Sequence, residues 1–236
     1  MERHYQKILL DTRDRVVKSL QIQVLDRESP RYGGFADAGG IVQAKFAIYR
    51  IAGMVAAYCN EESCFYRDGR VLDRILTGLG YVDRVQHENG LFDYITCNFF
   101  SAPDTAFCIK KLLPVYQYLR GRKEGRIGAA LTAKERGVLE KMEPILRRGA
   151  HGLLEGGFHT PNHRWAIASV LMSCGGLFGS REMEEAAYTY LNEGIDCNED
   201  GEFAEKSAGN YNRINNDAMI MLTEATGDES YERNAV

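Results

Sequence analysis

Trp165-Ala166-Ile167-Ala168-Ser169-Val170-Leu171-Met172 holds one hydroxyl in eight residues and no polar stripe at any helical spacing. A helix built from it has to be covered on every side. Asp11-Thr12-Arg13-Asp14-Arg15 and Thr132-Ala133-Lys134-Glu135-Arg136 have the opposite character, with a charged face that belongs in water. The two characters alternate along the chain. Apolar helices are expected at about 40–58, 103–119, 162–178 and 213–225, and amphipathic ones at about 2–24, 67–86, 131–148 and 181–194. Strand signals are few. The alternation predicts an all-α chain of about four antiparallel hairpins, each an outer helix followed by an inner one.

A repeat supports this layout. A glycine followed by an aromatic recurs at Gly34-Phe35, Gly90-Leu91-Phe92, Gly157-Phe158 and Gly201-Glu202-Phe203, each shortly before an expected inner helix. The aromatics are 57, 66 and 45 residues apart, a spacing that suits one hairpin plus its loops. Two explanations predict the same arrangement: a structural repeat, or glycine caps followed by aromatics that plug the loops. Stacked hairpins of this kind form a solenoid or close into an α/α toroid. The expectation is therefore a single domain over residues 1–236, an incomplete toroid with no β-sandwich after it. In such an array the inner helices run parallel, and their N-termini share a rim.

With 29 basic and 33 acidic residues the chain is not a general nucleic-acid or membrane binder. Arg120-Gly121-Arg122-Lys123-Glu124-Gly125-Arg126 is the local exception, read as a solvated loop. No run of 18 apolar residues occurs, so no membrane span is expected. The start, Met1-Glu2-Arg3-His4-Tyr5, lacks a secretory apolar segment. That predicts a cytoplasmic protein, or a periplasmic or secreted one if a leader was removed. Six scattered cysteines without a Cys-x-x-Cys pair read as reduced, mostly buried thiols.

The chemistry concentrates in Pro161-Asn162-His163-Arg164-Trp165 and Asn210-Tyr211-Asn212-Arg213. Thr160-Pro161 is a strong helix start, a hydroxyl N-cap followed by proline at the first helical position. It puts Asn162 and His163 in the first turn, where the helix dipole disfavours an imidazolium. Tyr211 continues the apolar stripe of Ile214, Ala218, Met221, Leu222 and Ala225, which aims it along the inner face. Eliminating across a 4-linked uronic acid needs three things. The carboxylate must be neutralised, for which Asn162 with Arg164 or Arg213 is suited. The C5 proton must be taken, by His163 or an ionised Tyr211. The leaving oxygen must be protonated, which a phenol can do.

Phe158-His159-Thr160-Pro161-Asn162-His163-Arg164-Trp165, Asp200-Gly201-Glu202-Phe203 and Asn210-Tyr211-Asn212 together resemble the heparinase II/III-like polysaccharide lyases of the α/α-toroid type. The clear part of the resemblance covers about residues 155–227. It implies that Asn162 neutralises the carboxylate, His163 is the base and Tyr211 the acid, with no obligatory cofactor and an anionic polysaccharide as partner. Complete lyases of this type are longer and usually carry a β-sandwich, so the chain resembles an N-terminal portion or a truncated relative. An unfinished toroid would expose apolar inner faces and could pair with another copy of itself.

Arg164, Arg213, Asn98, Tyr94, His159 and Trp165 are the candidate substrate contacts, Tyr94 and Asn98 from the loop before an inner helix. A glycoside hydrolase on the same scaffold is the competing reading, using Asp104 with Glu202 or Glu205. A non-catalytic glycan-binding fragment is the third. Asp196-Cys197-Asn198-Glu199-Asp200-Gly201 matches half of a calcium loop, but a tight turn explains it better, and no metal site is expected.

Overall fold

The computed structural model describes residues 2–157, 160–198, 200–206 and 210–234. Among these the chain is mostly helical, with a single two-stranded sheet. The helices are α1 (Glu2–Ile22), α2 (Ala44–Cys59), α3 (Gly69–Val85), α4 (Ala102–Lys123), α5 (Ala133–Gly152), α6 (Pro161–Phe178), α7 (Arg181–Leu191) and α8 (Tyr211–Thr226). Strands β1 (Phe92–Tyr94) and β2 (Asn98–Ser101) form a hairpin before α4.

Every expected helix is present, and the boundaries move for local reasons. α2 starts at Ala44 because the Asp37 carboxylate accepts from the Gly39 and Ile41 N–H groups (2.8 and 2.9 Å). That turn commits Val42 to a bridge with Ala36. α5 opens with a reciprocal box: Thr132 N–H donates to Glu135 Oε2 (2.6 Å), and Glu135 N–H to Thr132 Oγ1 (3.3 Å). α4 runs on to Lys123, so Arg120, Arg122 and Lys123 occupy its last turn, where cations suit the helix dipole. This corrects the solvated-loop reading. Arg122 is 5% exposed and donates to Glu135 Oε1 at 3.0 Å.

The chain divides into two compact units. The first comprises Met1–His87, Phe92–Phe99 and Lys111–Ile145; the second comprises Glu88–Leu91, Phe100–Lys110 and Leu146–Val236. α4 and α5 supply residues to both. In the first unit α2 packs between α1 and α3. Ile48, Ile51 and Met54 of α2 and Val71, Ile75 and Leu79 of α3 are wholly buried, whereas α1 buries only Val16 and Ser19 among its described side chains.

In the second unit α6 packs against both α7 and α8. It is buried from Arg164 through Gly175 on every side, as its composition demands. α7 returns along it after the two-residue turn Gly179-Ser180, with Gly179 left-handed at φ 70°. α8 buries Asn215, Ala218, Met219 and Leu222 and leaves Ile220 exposed.

The aromatics of the repeat act as plugs. Phe35, Phe92 and Phe203 are 0%, 1% and 5% exposed, and Phe158 lies outside the described residues. Gly90 has a steric reason to be glycine. Its φ is 85°, and a Cβ there would sit 1.9 Å from the Arg148 carbonyl oxygen. All six cysteines are free thiols. Only Cys108 and Cys174 are buried, fewer than expected. Burial pushes the Cys174 thiol up to about 12.

Candidate functional site

The first turn of α6 sends four consecutive side chains in four directions. Thr160 occupies the N-cap with extended backbone, and Pro161 follows, as expected. The Thr160 hydroxyl makes no cap hydrogen bond. The Glu205 carboxylate caps instead, taking the Asn162 backbone N–H on Oε2 (2.9 Å) and the Asn162 Nδ2 on Oε1 (3.1 Å). A carboxylate held by a helix N-terminus and an amide is favoured by the dipole and by both N–H donors. Asn162 is 3% exposed, and its Oδ1 has no partner among the described residues.

His163 is half-buried, its ring edge-on to Phe107 of α4 at 5.8 Å between centroids. Arg164 is 5% exposed and does not face a groove. Its guanidinium donates to Glu193 Oε2 (2.8 Å), to the Gly194 carbonyl (2.9 Å) and to Asp196 Oδ2 (2.8 Å), clamping the segment after α7. Trp165 is fully buried against Phe203, with ring centroids 5.3 Å apart. Both positions were candidates for sugar contacts; the structure places one in a loop clamp and the other in the core.

These tethers determine where α8 begins. The segment after α7 is fixed to the first turn of α6 at Glu193, Asp196, Phe203 and Glu205 in succession. Tyr211 follows Glu205 by six residues, a reach of at most about 20 Å even if fully extended. α4 narrows this further. Lys110, one turn beyond Phe107, is 5% exposed and donates from Nζ to the Ile214 carbonyl (3.1 Å), with Asp217 Oδ2 at 3.7 Å. One face of α4 therefore touches His163 in the first turn of α6 and Ile214 at the start of α8. Both helices begin at the same end of the second unit.

Tyr211 is the first residue of α8, 38% exposed. The expected stripe is rotated: Ile214 and Met221 are half-buried and Ala225 is exposed. The buried positions Asn215, Ala218 and Leu222 lie four, seven and eleven residues beyond Tyr211, so the phenol still tops the buried face, at its open end. Arg213 is exposed.

Tyr94 and Asn98 belong to the first unit, on the β1–β2 hairpin. Lys45 Nζ lies 4.5 Å from the Tyr94 ring centre, and Asn98 is exposed beside Phe99, itself 62% exposed. His159 lies outside the described residues. Of the carboxylates considered for hydrolysis, Asp104 accepts from the Ser101 hydroxyl (2.6 Å) in the α4 cap. Glu202 is exposed in the loop before α8. In the calcium-like stretch, where Glu199 lies outside the described residues, Asn198 Oδ1 accepts from the Asp200 and Glu202 N–H groups. Among the described residues no group of three or more His, Cys, Asp or Glu is placed to hold a metal. No helix among them is long and apolar enough to cross a membrane.

Sequence reading missed the capping role of Glu205, the contacts of Phe107 and Lys110, and Asn215. Asn215 is fully buried, with neither amide atom partnered among the described residues. A lysine inside an apolar helix and an asparagine on an apolar stripe were the available signals. No family model, curated protein or solved structure matches the chain.

Proposed function

We propose that this chain carries the catalytic rim of a polysaccharide lyase that cleaves uronic-acid-containing polysaccharide, of glycosaminoglycan or alginate type, by β-elimination. The observation that carries this reading is the pairing at α6: an amide and a helix N-terminus already bind a carboxylate, Glu205, next to a half-buried imidazole. A uronate carboxylate at Asn162 would lose part of its charge to those donors, which acidifies the neighbouring C5–H. His163 takes that proton. The C5–H electron pair becomes the C4=C5 bond as the C4–O bond breaks, and the Tyr211 phenol protonates the departing oxygen. The phenol sits at the open end of its helix, and α4 ties the start of α8 to the neighbourhood of His163.

Neither step calls for a cofactor, and the exposed Arg213 is free to meet a polyanion at the rim. Within this reading the helical hairpins form part of an α/α toroid whose inner helices open on the catalytic side. The test is incubation with alginate, pectate, hyaluronan and heparan chains, followed in the ultraviolet for the unsaturated ends that only elimination creates. Tyr211→Phe is expected to lower turnover by at least about 100-fold while leaving binding intact. New reducing ends without ultraviolet absorbance would instead mean hydrolysis, and would end the proposal.

A further inference from the structure

The cap of α6 raises a conflict that the elimination reading has to resolve. Asn162 is the group assigned to meet a substrate carboxylate, yet its backbone N–H and its Nδ2 are both taken by Glu205. Two carboxylates cannot share those donors without repelling each other. We propose that Glu205 is an internal competitor: it occupies the carboxylate receptor of the empty protein and leaves when a uronate arrives. This rests on the proposed function for the identity of the ligand, and it adds the regulation of that site.

Three observations favour exchange over a permanent cap. Among the described residues no cation pairs with Glu205, and its carboxylate bonds there are both to Asn162. The basic groups nearby are engaged elsewhere: Arg164 with Glu193 and Asp196, and Lys206 with Glu202. The short segment carrying Glu205 has exposed neighbours, Ala204 and Lys206, so the released carboxylate would enter water at once. Asn162, by contrast, is 3% exposed, and its Oδ1 has no partner among the described residues. The receptor is buried and still has an unused acceptor suited to a sugar hydroxyl, whereas the occupant is held only by exchangeable bonds. Phe203, packed on Trp165, anchors the loop, so that Glu205 can swing out while the fold stays intact.

The apparent affinity of a receptor blocked by its own carboxylate falls with the fraction of time it is free. Titration of the wild-type protein, Glu205→Gln and Glu205→Ala with methyl β-D-glucuronide, methyl α-D-galacturonide and methyl β-D-mannuronide tests this, with methyl β-D-glucoside as the uncharged control. At least one uronide should bind both variants about tenfold or more tighter than wild type, and the glucoside should not distinguish them. Hydrogen exchange on the wild type supplies a readout that needs no variant: a saturating uronide should speed exchange in residues 200–206. If folded variants bind uronide no tighter than wild type, or the segment stays equally protected, the competition is refuted and the elimination reading stands. If no uronide binds any of the three proteins, both fall.

Discussion

Removing the Arg164 side chain is the perturbation that best separates its two assigned roles. Its side chain is 6% exposed, and the guanidinium makes three charge-assisted bonds of 2.8–2.9 Å to the segment after α7. Breaking a buried ion pair by deleting one partner typically costs about 3–5 kcal/mol. The two acceptor carboxylates, however, are not deeply buried: the Glu193 side chain is 33% and that of Asp196 41% exposed. They can rehydrate, which removes part of that cost. For Arg164→Ala we expect a loss of about 2–3 kcal/mol, made up of the unsatisfied Gly194 carbonyl, the lost clamp and the cavity left by the stem. In a chain of this size that corresponds to about 5–10 °C in Tm. The chain has a single tryptophan, Trp165, whose ring centre lies 5.5 Å from the Arg164 guanidinium carbon. Urea unfolding followed by its fluorescence therefore reports on the affected unit directly. Arg164→Lys should recover only part of the loss, because one ammonium cannot fork to three acceptors at once. A substrate-contacting arginine would behave differently, leaving stability unchanged while binding weakened. A loss below about 0.5 kcal/mol would refute the clamp.

Two further outcomes follow from buried polar groups. Asn215→Leu replaces a fully buried amide, unpartnered among the described residues, with an apolar group of similar size, so stability should change little or rise by up to about 1 kcal/mol. A loss above about 2 kcal/mol in urea melts would mean that the amide is satisfied after all. Burial pushes the Glu135 carboxyl up, but the Thr132 N–H and hydroxyl and the Arg122 guanidinium outweigh it and hold it below the usual carboxylate range. A group with a depressed folded pKa stabilises the protein fully above its unfolded value of about 4.3 and loses that contribution as pH falls through the folded value. The urea midpoint should therefore drop with acid below about pH 4.3, and Glu135→Gln should flatten that limb. An unchanged slope in the variant would show that other carboxylates set it.

The alternation that begins at Trp165–Met172 located all eight helices, and burial follows composition at α6; α8, expected to be apolar all round, instead buries only Asn215, Ala218, Met219 and Leu222. The box at the start of α5 joins two residues only three apart, Thr132 and Glu135, a local pattern that the charged-face reading of this stretch passed over. Thr160 looked like an equally good cap, but its helix is capped by Glu205, 43 residues beyond Asn162. Arg164 and Trp165 looked like ligand groups because polar and aromatic residues at a helix start usually face a rim. Which way they point depends on a loop that returns over them from residues 193–205, and no pattern within α6 foretells it.

The order of the helices, and the plugs Phe35, Phe92 and Phe203, were set by local composition and period, since solvent sorts such segments whatever they pack against. Which polar groups of the two candidate stretches bind the protein itself, and which remain open to a ligand, was decided only in the folded chain. A hydrogen bond between residues far apart in sequence is set by the path of the chain between them, and that path becomes definite only when the core forms.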